Sequence, residues 1–298
     1  MKLSTTAALA GVLVSAGLGA ARADDTPPPA TTPSTDDAPA KPADPMTSDQ
    51  LVLPKGKLAI NAELGINLSK DGVGKPVSFS PDVWYGVTDM ITLGLVHSYT
   101  GTTGFLGGVG TSLCLGSTDN GCARVYNNLG IDARIRLARP LSADVGIYVP
   151  NITDKFQLAV KLGLSGRYRF GALAIEAQPN IIIGLAGRPS DDDTDGQAVV
   201  VPSASAVLFG ENTEILNVPV TLSYDVAPKF DVALQTGIAL PFTHAGDTWR
   251  VPLTIGARYA VSPHLGVGLT FSFLDLIGGG EDTGIDARTI VLGGSYAL

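Results

Sequence analysis

Between Phe156 and Phe170 the chain reads FQLAVKLGLSGRYRF, an alternation of apolar and polar residues with a period of two. Phe156, Leu158, Val160, Leu162, Leu164, Tyr168 and Phe170 share one parity, and Gln157, Lys161, Ser165, Arg167 and Arg169 share the other. Wound as a helix at about 100° per residue, the three cations would scatter around the axis and leave no clean apolar face. The alternation predicts a strand with one apolar and one polar side. Soluble strands run to about 5 or 6 residues, whereas a tilted strand needs roughly 9 to 11 to cross hydrocarbon. This stretch is long enough to cross a bilayer.

The same period begins at Lys57, where Leu58, Ile60, Ala62, Leu64, Ile66 and Leu68 alternate with Lys57, Asn61, Glu63 and Asn67. Followed along the chain, it predicts twelve strands at 57–68, 77–87, 91–99, 125–137, 143–149, 156–170, 172–184, 216–225, 229–240, 249–260, 264–274 and 287–298. The connections alternate in length. Thr88 to Met90, Ala138 to Ser142, Gly171, Val226 to Pro228 and Val261 to Pro263 are tight, whereas 69–76, 100–124, 150–155, 185–215, 241–248 and 275–286 are longer. Tight turns at one end and longer loops at the other describe an antiparallel up-and-down meander closed into a transmembrane β-barrel, with turns facing the periplasm and loops outside. An even strand number puts both termini at the turn end.

Aromatic residues sort by strand direction. Tyr85, Tyr168 with Phe170, Tyr224, Tyr259 and Tyr296 end strands that run toward the turns, on the outward parity, with the fourth strand as the exception. Phe79, Tyr99, Phe156, Trp249 and Phe273 hold that parity near the loops. Rings with one apolar and one wet side favour the two membrane interfaces, so these are expected to form two girdles.

Composition agrees with an all-β class: 36 Gly, 16% charged residues and a mean hydropathy of +0.25, yet no run of the ~18 apolar residues that mark a membrane helix. Residues 1–23, with Lys2, the apolar run Ala7 to Ala21 and the small-x-small ending Ala21-Arg22-Ala23, are expected to be a removed signal peptide. Residues 24–50, rich in Pro, Asp, Thr and Ala, offer little to bury and are expected to form a disordered periplasmic tail, leaving 51–298 for the barrel. Loss of Lys2 and Arg22 takes the formal charge from −8 to −10, which argues against nucleic acid as a partner.

The signal, the alternating strands, the turn and loop asymmetry and the ending Ile290, Leu292, Tyr296, Leu298 together resemble the outer-membrane β-barrel proteins of Gram-negative bacteria. In that family the last strand alternates apolar residues, places an aromatic third from the end and closes on Phe; here Leu298 stands in that place. The resemblance is porin-like in architecture and carries over no functional residues. It implies location in the cell outer membrane, contact with outer-membrane lipids, and recognition of the C-terminal strand by the barrel-assembly machinery.

Candidate chemistry is sparse. His97 and Ser98 fall where outer-membrane phospholipases place a lipid-facing His and Ser, but adjacent residues point to opposite sides of a strand, so His97 is expected at the membrane rim and not in an active site. His244 and His264 show no metal-ligand spacing. Asp191, Asp193, Asp195 and Gly196 resemble the start of a calcium loop, but Pro202 stands where its bidentate Glu belongs, and no metal or cofactor is expected. Cys114 and Cys122, the two cysteines of an exported chain, are expected to form a disulfide within one loop.

Inward parity collects Lys57, Arg134, Arg136, Lys161, Arg167, Arg169, Arg250 and Arg258 against Glu63, Asp82, Asp132, Asp144, Glu176, Asp225 and Asp231. Arg134, Arg136, Arg167 and Arg169 cluster near the turn end with Asp144, so these and Lys161 are the pore-lining candidates, expected to form a basic mouth that is either a salt-bridged plug holding the barrel wall together or a filter favouring anions. Leu162 is placed toward lipid and Lys161 toward the lumen, so Lys161→Gln is expected to cost far less than Leu162→Arg. Twelve strands lie between the side-chain-filled barrel of about 8 and the open channel of 16 to 18. The reading is a non-enzymatic outer-membrane barrel, a small passive pore for anionic or polar solutes, with a closed structural or surface-display anchor as the alternative.

Overall fold

The computed structural model describes residues 51–69, 72–108, 112–115, 122, 126–151, 156–188, 214–243, 245–279 and 284–298. The signal segment, the Pro-rich tail, the Asp191 to Gly196 loop and His244 lie outside the described residues.

One antiparallel sheet closes on itself. Its strands are β1 (Leu58–Asn67), β2 (Val77–Thr88), β3 (Ile91–Val96), β4 (Ser112–Cys114), β5 (Tyr126–Ala138), β6 (Leu141–Asn151), β7 (Leu158–Phe170), β8 (Leu173–Ala177), β9 (Asn180–Ala186), β10 (Ile215–Ala227), β11 (Phe230–Pro241), β12 (Arg250–Ala260), β13 (Leu265–Gly278) and β14 (Arg288–Ala297). Closure comes from β14 pairing with β1, with Leu64 opposite Leu292, while β1 also pairs with β2.

Fourteen strands make twelve staves. β8 and β9 lie in line between β7 and β10, separated where Pro179 has no N–H to give the ladder. β3 and β4 likewise share the place between β2 and β5. The expected third strand, 91–99, therefore ends early at Val96, and the chain leaves the wall before returning as β4.

The barrel's polarity is the reverse of a soluble core. Leu95, Ile131, Ile147, Leu162, Leu164, Ile255, Leu269 and Leu292 are exposed on the outer face, whereas Asp132, Asp144, Lys161, Asn217, Gln235 and Thr254 are buried inside. Only a surrounding apolar solvent makes that arrangement favourable, so the outer face is the lipid face of a membrane-spanning barrel. Tyr85, Tyr168, Phe170, Tyr224, Tyr259 and Tyr296 are exposed around the turn end, as the girdle requires. At the loop end Phe79 and Phe156 are exposed, but Tyr99 is 3% exposed and lies inside the barrel. Tyr99 is therefore not a girdle residue, because the wall strand has ended three residues before it.

Inside, large rings fit because glycines face them. A Cβ at Gly130 or Gly146 would come within 2.3 or 2.6 Å of the Tyr148 ring, and one at Gly94 within 2.5 Å of Trp84. Trp84, Val96, Tyr148 and Ala59 pack together on this side of the lumen. The far side, on β12 to β14, carries Gly256, Gly266, Gly268, Gly293 and Ser295 instead, and leaves space.

Candidate functional site: the lumen and its inward segment

Residues 97–108 turn from the wall into the lumen. Asp82 directs the departure: its carboxylate accepts the backbone N–H of His97 (2.7 Å) and Ser98 (2.9 Å) and the Ser98 hydroxyl (2.5 Å). Ser98 then caps a short helix, α1 (Tyr99–Thr103), its Oγ accepting from the Gly101 N–H at 2.8 Å. Gly104 ends the helix at φ 82°, a left-handed position suited to glycine.

The segment crosses to the opposite wall and is bonded on the way. Asn128 Nδ2 donates to His97 O (3.1 Å) and Thr102 Oγ1 (2.7 Å), Lys161 Nζ to Gly101 O (3.2 Å), and Asn180 Nδ2 to Thr103 O (2.8 Å). Gln235 holds both sides of the bend, accepting from Leu106 N–H (2.6 Å) and donating to Gly104 O (2.9 Å). Thr254 donates to Leu106 O at 3.3 Å, and Thr289 donates to Gly107 O. Tyr99 and Phe105 pack on Ala159, Ile182, Ile215 and Ala239, an apolar patch on the inner wall. Side chains of β2, β5, β7, β9, β11, β12 and β14 thus fix one segment across the lumen.

Beneath it lies a cavity with about 1650 Å³ of space unoccupied by atoms, including the part open to solvent. Its lining includes Glu63, Asp82, Arg134, Arg167, Glu176, Asp231, Arg258, Gln178 and Gln235, the glycine-rich wall of β12 to β14, and Trp84 and Leu106. The chain before β1 narrows its turn end. Leu51 and Val52 are buried there, Arg134 Nη1 donates to Leu51 O (3.3 Å), Arg136 Nη2 donates to Val52 O (3.4 Å), and Leu53 N–H donates to Thr92 Oγ1 (2.8 Å).

The six pore-lining candidates divide by place. Arg134 and Arg167 line the cavity. Arg136 sits at the turn-end strap just described. Asp144 accepts from Arg134 Nε at 2.8 Å and also receives the Ser165 hydroxyl. Lys161 pairs with Asp132 at 2.5 Å, with side chains 6% and 1% exposed. Lys161 therefore faces the lumen as a buried member of an ion pair. Asp132, Gly146 and Lys161 stand in register on three neighbouring strands, and the absent side chain at Gly146 lets the outer two meet.

The arginines also have more partners than Asp144. Arg167 pairs with Glu176 (3.5 Å) and Arg169 with Asp225 (2.7 Å). Arg258 pairs with Asp231 (2.8 Å), also near the turn end, and Arg250 with Asp275 (2.9 Å) near the loop end. The expected surplus of arginine over Asp144 is therefore largely neutralised, and it shrinks to Arg136 at the strap.

His97 is not at the membrane rim; it is buried, with Nδ1 2.6 Å from Pro81 O and Nε2 2.7 Å from the Tyr126 hydroxyl. A carbonyl only accepts, so Nδ1 donates to Pro81 O. Both ring nitrogens are engaged away from Ser98, whose hydroxyl goes to Asp82, so the three residues form no nucleophile–base pair. Among the described residues no group of three or more His, Cys, Asp or Glu is placed to hold a metal. Cys114 and Cys122 form a disulfide that joins β4 to the following connection. At the loop end Arg188 and Glu214 form an ion pair at 2.5 Å, and its hydrogen bond holds the Glu214 carboxyl below the usual range.

No protein-family model matches the chain, and no curated protein matches it. Solved structures do. A NanC porin shares 11% identity with a TM-score of 0.51 over 80% of this chain and 100% of the porin. A KdgM porin shares 5% identity with a TM-score of 0.47 over 80% and 99%. An outer-membrane channel from Pseudomonas putida F1 shares 12% identity with a TM-score of 0.44 over 83% and 97%. The likeness to the first shows a common fold, a closed antiparallel β-barrel.

Proposed function

We propose that this barrel is a passive, non-enzymatic pore that admits small polar solutes across the outer membrane, with residues 97–108 setting its narrow point. The observation that carries the reading is the cavity on the turn side of a segment pinned across the lumen, with about 1650 Å³ of space unoccupied by atoms including the part open to solvent, and with Glu63, Arg134, Arg167, Glu176 and Gln178 among its lining residues. A barrel meant only to anchor could fill this space with its own side chains, yet β12 to β14 present glycine and serine there. Ion pairing of the inward arginines favours polar over specifically anionic solutes.

In this reading residues 1–23 direct export, residues 24–50 extend into the periplasm, and the strand ending at Leu298 is presented to the assembly machinery. What supports the last point is the parity of Ile290, Leu292 and Tyr296.

A closed anchor is the second reading, favoured by the hydrogen bonds that residues 101–107 make to strands on both sides of the lumen. Liposome swelling separates the two. Proteoliposomes placed in iso-osmotic solutions of small neutral polyols should swell, faster for smaller solutes. Swelling no faster than that of empty liposomes contradicts the pore.

A further inference from the structure

We propose that the conduction path prefers cations, and that Glu63 is the residue that determines this preference. The inference rests on the pore reading and adds to it the charge of the solutes favoured.

Inside the barrel six cations are matched by six carboxylates: Arg134 with Asp144, Lys161 with Asp132, Arg167 with Glu176, Arg169 with Asp225, Arg250 with Asp275 and Arg258 with Asp231. Among the described residues two inward carboxylates remain, Glu63 and Asp82, and both line the cavity. Asp82 is committed to the inward segment through the donors of His97 and Ser98. Among the described residues Glu63 has no ion pair.

Its surroundings supply no cation. On its two neighbouring strands Glu63 stands opposite Ser80 and Gly293. The inner faces of β14, β1 and β2 carry Ala59, Asn61, Gly65 and Asn67, Ser78, Ser80 and Trp84, and Thr289, Val291, Gly293 and Ser295, without one Lys or Arg. This wall also borders the open part of the lumen, since a Cβ added at Gly293 would meet nothing closer than 4.0 Å. A solute in the cavity therefore passes a carboxylate at the depth of the segment, where low-dielectric walls concentrate its field. Among the described inward-parity residues, Arg136 and Lys57 are the cations outside these pairs; they sit at the turn-end mouth, where Lys57 is exposed and solvent screens it.

The solutes favoured are small monovalent cations, including small solutes bearing a protonated amine. Reversal potentials in a potassium chloride gradient test this, measured in planar bilayers at about pH 9 so that carboxyl groups are ionised. Wild type should be cation-preferring, Glu63→Gln should lower the cation-to-anion permeability ratio several-fold, and Glu63→Asp should keep the preference. Anion preference in wild type, or a ratio unchanged in Glu63→Gln, overturns the inference and leaves the pore standing. Absence of current together with absence of polyol swelling overturns both.

Discussion

Replacing Lys161 with Met should destabilise the barrel strongly although the residue faces the lumen. Lys161 and Asp132 meet at 2.5 Å with little exposure, and Lys161 also donates to Gly101 O at 3.2 Å. Removing the cation leaves Asp132 in a site built to receive one, which costs about 3 to 5 kcal/mol for a buried pair. Asp132→Asn alone should cost a similar amount by stranding Lys161. The double variant should cost clearly less than the sum, with a coupling toward the upper end of the roughly 0.5 to 3 kcal/mol found for contacting residues. Urea unfolding of the detergent-folded barrel, followed by tryptophan fluorescence, measures all three. Additive losses, or single losses within about 0.5 kcal/mol as at ordinary surface sites, would refute the description of this pair as buried and mutually dependent. A pure surface ion pair would behave in that way.

Leu162, one residue on, faces lipid, and Leu162→Arg should cost on the order of 2 to 4 kcal/mol near the bilayer midplane by the same unfolding assay; no loss would place the residue outside hydrocarbon. Thiol labelling of unfolded protein should find Cys114 and Cys122 only after reduction, and two free thiols without reductant would contradict the disulfide. The Arg188–Glu214 pair depresses the Glu214 pKa, so its contribution is present above the ordinary value of about 4.3 and is lost as pH falls through the lower folded value. Amide hydrogen exchange near Glu214 should therefore rise as pH is lowered through that window, relative to an Arg188→Gln variant; parallel profiles for the two proteins would contradict it.

Strand positions are legible in the sequence because a membrane strand must hold one parity from end to end, and β7 does so from Leu158 to Phe170. The strand expected at 172–184 instead divides at Pro179 into β8 and β9, a break that the alternation alone did not reveal. What parity could not show is that the chain leaves the wall after Val96, because His97 and Tyr99 continue the alternation for two more positions. A signal was present nonetheless. Residues 99–111, YTGTTGFLGGVGT, carry no charge and hold one large apolar ring at Phe105, unlike a solvated loop. The charge pairs follow the same logic. Arg134 with Asp144 and Arg167 with Glu176 face each other across tight turns and can be read by counting back from them. Lys161 with Asp132 requires the register of three strands and the missing side chain of Gly146, which turn counting alone does not supply.

The most direct test of the account is current through the purified protein in planar bilayers, for wild type and for Gln235→Ala, which removes both side-chain bonds to Leu106 and Gly104. The account predicts small, steady single-channel currents in wild type and larger or noisier ones once the inward segment is released. Barrels that insert, shift apparent size on a gel when boiled, and pass no current in either form would contradict the pore and leave a closed anchor.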